Sequence, residues 1–210
     1  TAGMSAIFGS PVAGVLLAIE LLLFEFSPRA IIPVALACAT GAAMHLILFG
    51  TDPVFAMLPV PEPTSTAMII YIFLGVIIGI AASFVSKAVY FVEDLFEHLP
   101  IHWMWWPAIG AVAVGVVGYF APYTLGVGYS NITTLLSGNA PLQLMLSLCF
   151  LKFLSWVFSL GSGTSGGTLA PLLTIGGALG GLLGLAILTV FPNSTVNLPT
   201  CVLIGMAAMF

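Results

Sequence analysis

The residues most suited to chemistry are Gly161-Ser162-Gly163-Thr164-Ser165-Gly166-Gly167-Thr168-Leu169-Ala170-Pro171, set between two strongly apolar runs. A helix cannot continue across these glycines, each of which disfavours helix by about 1 kcal/mol relative to alanine. Non-helical backbone at membrane depth is tolerated only inside protein or beside a watery cavity, because lipid cannot satisfy its N–H groups. The following helix is predicted to begin near Thr168, with Pro171 in its first turn, where a missing N–H is harmless. Its unpaired amides, with the roughly half unit of positive charge at a helix N-terminus, can hold an anion without a formal cation. A conduction site needs binding of that kind, strong enough to replace water and weak enough to release the ion.

Other chemistries fit the same letters less well. Gly161, Gly166 and Thr168 follow the spacing of a phosphate-binding P-loop, but Gly167 stands where its lysine is required. Gly163-Thr164-Ser165-Gly166 matches the GxSG around the serine of rhomboid intramembrane proteases, which makes a serine hydrolase the alternative from another class. A serine nucleophile needs a positioned base. The histidines are His45, His98 and His102, all before the loop, whereas rhomboids supply theirs from a later helix. No catalytic residue is therefore assigned. The blandest alternative is a glycine-rich break that only lets helices cross.

The elements that must position this loop are helical and lipid-embedded. Hydrophobic residues make up 60% of the chain and charged ones 5%, against roughly 25% charged in a soluble domain; mean hydropathy is +1.22. Apolar runs cover 12–26, 30–49, 66–91, 103–121, 142–160, 169–191 and 198 onward. Several approach the roughly 20 residues that cross a bilayer. Residues 12–26 and 132–136 are short and read as tilted or partial helices packed inside protein. The prolines and acids of 50–64 mark an extramembrane loop. Glu93 to His102 mark a second exit, followed by a belt-like Trp103, Trp105 and Trp106. Gly75 and Gly79, and Gly176, Gly180 and Gly184, are spaced for close helix packing. The fold expected is all-α, multi-pass and integral to the membrane.

Arg29, Lys87 and Lys152 are the only fixed cations, too few for a nucleic-acid partner. Cys38, Cys149 and Cys201 stand singly in apolar runs and read as buried hydrophobes, with no metal and no cofactor implied. The chain opens without methionine and stops within an apolar run, so it reads as a piece of a longer protein.

Ser162 to Pro171 resembles the signature SGxxGGxFxP of the CLC chloride channel and antiporter family. Ser10-Pro11-Val12-Ala13-Gly14-Val15-Leu16 with Ile19-Glu20 resembles another element of that family, as do Gly126-Val127-Gly128-Tyr129 and the stretch from Lys152 to Gly163. The resemblance implies a homodimer, each subunit with its own pore built from two inverted halves. It places 1–49 at the end of the first half, 50–64 as the join, and 65–210 as the first part of the second. Helices 12–26 and 30–49 would contribute to the dimer interface, with C-terminal helices absent from this sequence. Chloride would be the transported ligand, coordinated by the backbone N–H groups of Thr168 and Leu169, with Gly166 and Gly167 shaping the approach. The family usually has isoleucine or valine, then phenylalanine, at those two positions. Its gating glutamate and serine would precede Thr1, and its pore tyrosine would follow Phe210.

Antiporters of the family typically carry a paired Glu-Glu whose second member relays protons. Here Glu20 matches the first and Leu21 the second. Leucine carries no proton, so a passive channel is the main expectation and a proton-coupled chloride or fluoride antiporter the alternative. Glu20 remains a candidate for a proton path, and Glu25 a substitute. Lys87 reads as a snorkelling charge. Lys152 is deeper by count, with added positive potential near the anion path as its lesser reading.

Overall fold

The computed structural model describes the chain apart from residues 22, 24, 25, 53, 54, 56, 58, 61, 165 and 193 and the Leu21 side chain. Glu25, Ser165 and the side chain of Leu21 thus lie outside the described residues. All regular structure among the described residues is helical. The chain forms two compact units, Thr1–Ala56 and Met57–Phe210.

The first unit contains α1 (Ala2–Phe8), α2 (Pro11–Leu21) and α3 (Pro28–Phe49). Its interior is made of small residues. Gly14 faces Ser5 and Cys38, where an added Cβ would approach both to 3.1 Å. Ala18 and Cys38 are fully buried, and the Ser5 hydroxyl donates to the Cys38 carbonyl at 2.7 Å. Such surfaces let backbones approach closely where water cannot drive helices together. The helix expected over 12–26 is described only to Leu21, after which the Leu23 amide bonds the Ala18 carbonyl five residues back. The sequence gives no separate signal for α1, which is only seven residues long.

The second unit contains α4 (Ser65–Glu97), α5 (Trp106–Phe120), α6 (Tyr129–Leu136), α7 (Leu142–Ser147), α8 (Phe153–Gly161), α9 (Leu169–Val190) and α10 (Leu198–Met209). A π-helical turn, Leu148–Lys152, joins α7 to α8. The helix expected over 66–91 runs on to Glu97, because Val92 and Phe96 pack against Val157 of α8. Its 33 residues would measure roughly 50 Å, more than the hydrocarbon thickness. On α4, Ala67, Tyr71, Leu74 and Ile78 form a buried stripe, whereas Ile72, Phe73, Val76, Ile80 and Phe84 are exposed. Large apolar side chains facing outward in this pattern match a lipid solvent, not water. Among the described residues, five helical stretches are long and apolar enough to cross a membrane. Lys87 is exposed on α4, consistent with snorkelling.

The closest packing is between α9 and α10. A Cβ on Gly176 or Gly205 would overlap the other's carbonyl, and one on Gly180 would overlap the Cys201 carbonyl. Gly184 sits against Cys201. The glycines of α4 behave differently: Gly79 has open space and Gly75 only a loose neighbour, Ile204, at 3.8 Å. Within this chain they do not form a tight crossing. Gly180→Val is therefore expected to lower thermal stability in detergent by about 2 kcal/mol or more, as overpacking does, while Gly79→Ala leaves it unchanged. Fluorescence-detected gel filtration after heating measures both.

Candidate functional site

The break between α8 and α9 is built by close contacts at one end and left open at the other. Gly161 presses against Val92 of α4, with an added Cβ only 2.7 Å from its side chain, and Gly110 of α5 gives room to Ser162. Glycine at these two places lets the end of α8 sit against both neighbours. The Gly163 amide then bonds the Leu160 carbonyl at 3.1 Å with φ of 77°, a left-handed helix ending that glycine adopts freely. Ser162 is buried, and its hydroxyl donates to the Ser159 carbonyl at 2.7 Å. The Thr164 hydroxyl donates to the same carbonyl. Two hydroxyls thus satisfy a carbonyl near the end of α8 and fix the direction in which the chain leaves.

Beyond that anchor, Gly166, Gly167 and Thr168 are exposed, and nothing lies within 4 Å of a Cβ built on either glycine. α9 begins at Leu169 with Thr168 as its cap, and its first intrahelical bond runs from the Leu172 amide to the Thr168 carbonyl at 3.1 Å. The Thr168 side chain caps nothing. Among the described residues the amides of Thr168, Leu169 and Ala170 have no acceptor, and Pro171 has no N–H to contribute. These are the orphan donors of a helix start, at the positions predicted from sequence.

Beside them lies a cavity of about 190 Å³ lined by Gly166, Gly167 and Pro171 together with Thr164, Ser159 and Lys152, far above the ~15 Å³ that one water-sized particle needs. No acidic residue is among its described lining residues. Thr168 and Leu169 are not lining residues; they stand between Gly167 and Pro171, which are. Glu20 is exposed on α2 in the first unit, and Leu21 is that helix's last residue.

Lys152 is the residue whose place the sequence underestimated. It is 5% exposed, and its Nζ donates to the carbonyls of Thr124 and Gly126 at 2.6 and 2.7 Å. The signal available beforehand was a single cation in an apolar run. The π-helical turn that ends at Lys152, a feature often found at functional sites, was not legible there.

The family model for the voltage gated chloride channel matches residues 1–210. The H(+)/Cl(-) exchange transporters ClcA of Salmonella paratyphi B and Salmonella newport are each 28% identical over 99% of this chain and 45% of their own length. The chain thus spans about half the length of the curated relatives it matches. Among solved structures it is similar to a CLC-type fluoride/proton antiporter, with TM-score 0.72 and 21% identity over 97% of this chain and 50% of that one. A slow cyanobacterial Cl-/H+ antiporter gives TM-score 0.78 and 19% identity over 96% of this chain and 48% of that one.

Because Thr164 helps set the course of the break, Thr164→Val should loosen it. Loss of a hydrogen bond of about 1 kcal/mol corresponds to roughly fivefold faster amide exchange in 162–168. Hydrogen-exchange mass spectrometry of the detergent-solubilised protein measures this, with α9 beyond its first turn expected to keep its protection.

Proposed function

The chain belongs to the voltage gated chloride channel family and is an integral, multi-pass membrane protein, and from that premise we propose that it carries chloride past the N-terminus of α9 in exchange for protons. One observation carries the anion part: the amides of Thr168 and Leu169, without an acceptor among the described residues, stand between Gly167 and Pro171, which line an open cavity with Lys152 and no described acidic residue. Coordination through backbone N–H explains why threonine and leucine can occupy these positions. Gly166 and Gly167 keep the approach free of side chains. The activity is transport, and chloride is its ligand.

Coupling to protons is favoured by the relatives, which are named exchangers or antiporters. This reverses the order expected from sequence, where Leu21 put the passive channel first. A missing relay side chain removes one route for the proton, not every route. Glu20, exposed and adjacent in sequence to the usual relay position, is the proposed substitute. Passive conduction remains the second reading, and Leu21 is the observation that favours it.

Within the same proposal, 1–49 closes one inverted half, 50–64 joins, and 65–210 opens the other. The protein works as a homodimer, with helices 12–26 and 30–49 in its interface. Exposed apolar residues such as Val12, Leu16, Ile32 and Leu36 support a partner or lipid on these helices.

The test is flux from liposomes holding the full-length protein, with chloride and pH followed together. Exchange predicts that an outward chloride gradient pulls protons inward, and that Glu20→Gln slows proton movement more than chloride movement. Chloride efflux with no pH change would establish the passive reading, and absence of any chloride flux would overturn the anion assignment.

A further inference from the structure

We propose that Lys152 is the fixed cation of the anion pathway, a positioning residue whose charge raises the affinity of the α9 site for anions. The inference rests on the anion reading above and goes beyond it by assigning a side chain to a site otherwise made of backbone.

Three observations converge on this residue. A buried ammonium within a membrane-spanning stretch is unfavourable unless something compensates it. Among the described residues no carboxylate pairs with Lys152; its partners are the Thr124 and Gly126 carbonyls. Carbonyl dipoles solvate the ammonium but leave its net charge in place. An anion in the adjoining cavity is the chemistry that such a charge, solvated here by carbonyls, would favour.

The second observation is location. Lys152 lines the same cavity as Gly166, Gly167 and Pro171, so its field and that of the α9 terminus act on one space. An ammonium has three donors, and two of them are used on the carbonyls. The third has no partner among the described residues.

The third is the construction around it. In the loop from Ala121 to Gly126, the Ala121 carbonyl accepts from the Thr124 hydroxyl at 2.7 Å and the Tyr123 carbonyl from the Asn131 amide at 2.8 Å. With Lys152 on Thr124 and Gly126, four carbonyls of this loop accept side-chain donors, and Thr124 and Gly126 themselves line the cavity. Gly126 and Gly128, with φ of 75° and 89°, give the loop backbone turns that other residues would strain. The π-helical turn Leu148–Lys152 places the ammonium at the meeting point.

A clamp for the loop is the competing role, and charge separates the two. Chloride affinity of the purified full-length protein is measured by calorimetry in chloride-free isethionate buffer, alongside its thermal midpoint. Lys152→Gln keeps donors without the charge, Lys152→Met removes both, and Lys152→Arg keeps the charge with altered donor geometry. Gln and Met should weaken chloride binding about tenfold, the order expected for removing one unit charge from a partly wet site, with rescue by Arg. Chloride affinity within twofold of the unsubstituted protein in a folded Gln or Met variant would overturn the proposal. If both neutral variants fail to fold, the Arg variant decides: retained affinity supports the charge, and lost affinity in folded protein refutes it. Absence of chloride binding to the unsubstituted protein would instead reject the anion reading itself.

Discussion

Backbone amides that lose their helical partners inside a bilayer need another acceptor, and the arrangement of the second unit follows from meeting that need. The chain leaves α8, turns through a glycine-rich break and restarts as α9, which strands donors where lipid offers nothing in return. A soluble protein would leave them to water at little cost. Here they stand beside a cavity that Lys152 lines and no described acidic residue does. Gly161 and Gly110 give α8 close neighbours in α4 and α5, and Ser162 and Thr164 tie the break to Ser159. Beyond them Gly166 and Gly167 present no side chain.

Rigidity behind the site comes from a different use of the same residue. Along α9, Gly176 and Gly180 bring it so close to the α10 backbone that no side chain fits between, and Gly184 makes room for the Cys201 and Leu198 side chains. Dispersion across such a crossing replaces the hydrophobic drive that lipid removes. The helix whose first turn carries the unpaired amides thus has its middle fixed to a neighbour. Glycine in the break opens space, and glycine in the helix eliminates it.

Much of this was legible in the letters. The start of α9 at Leu169, the proline in its first turn and the end of α3 at Phe49 agree with the sequence reading, since glycine, proline and capping positions act locally. The end of α4 was not, because Val92 and Phe96 gain burial against Val157, a contact remote in sequence that carries the helix past Glu93 and Asp94. The same distinction separates the two glycine pairs at helical spacing: Gly176 and Gly180 meet α10, while Gly79 meets nothing. Lys152 shows the limit most clearly. Its type was visible, but its carbonyl partners lie 26 and 28 residues away, and local pattern cannot find them. The names of the relatives favour the exchanger over the passive channel, for which Leu21 is the argument.

The most direct measurement is anomalous diffraction from crystals of the full-length protein grown in bromide, an anion that can stand in for chloride and reports its own position. The account predicts an anomalous peak within contact distance of the Thr168 and Leu169 amides, on the cavity side of α9. Well-ordered bromide peaks elsewhere in the membrane region, with none at these amides, would contradict it.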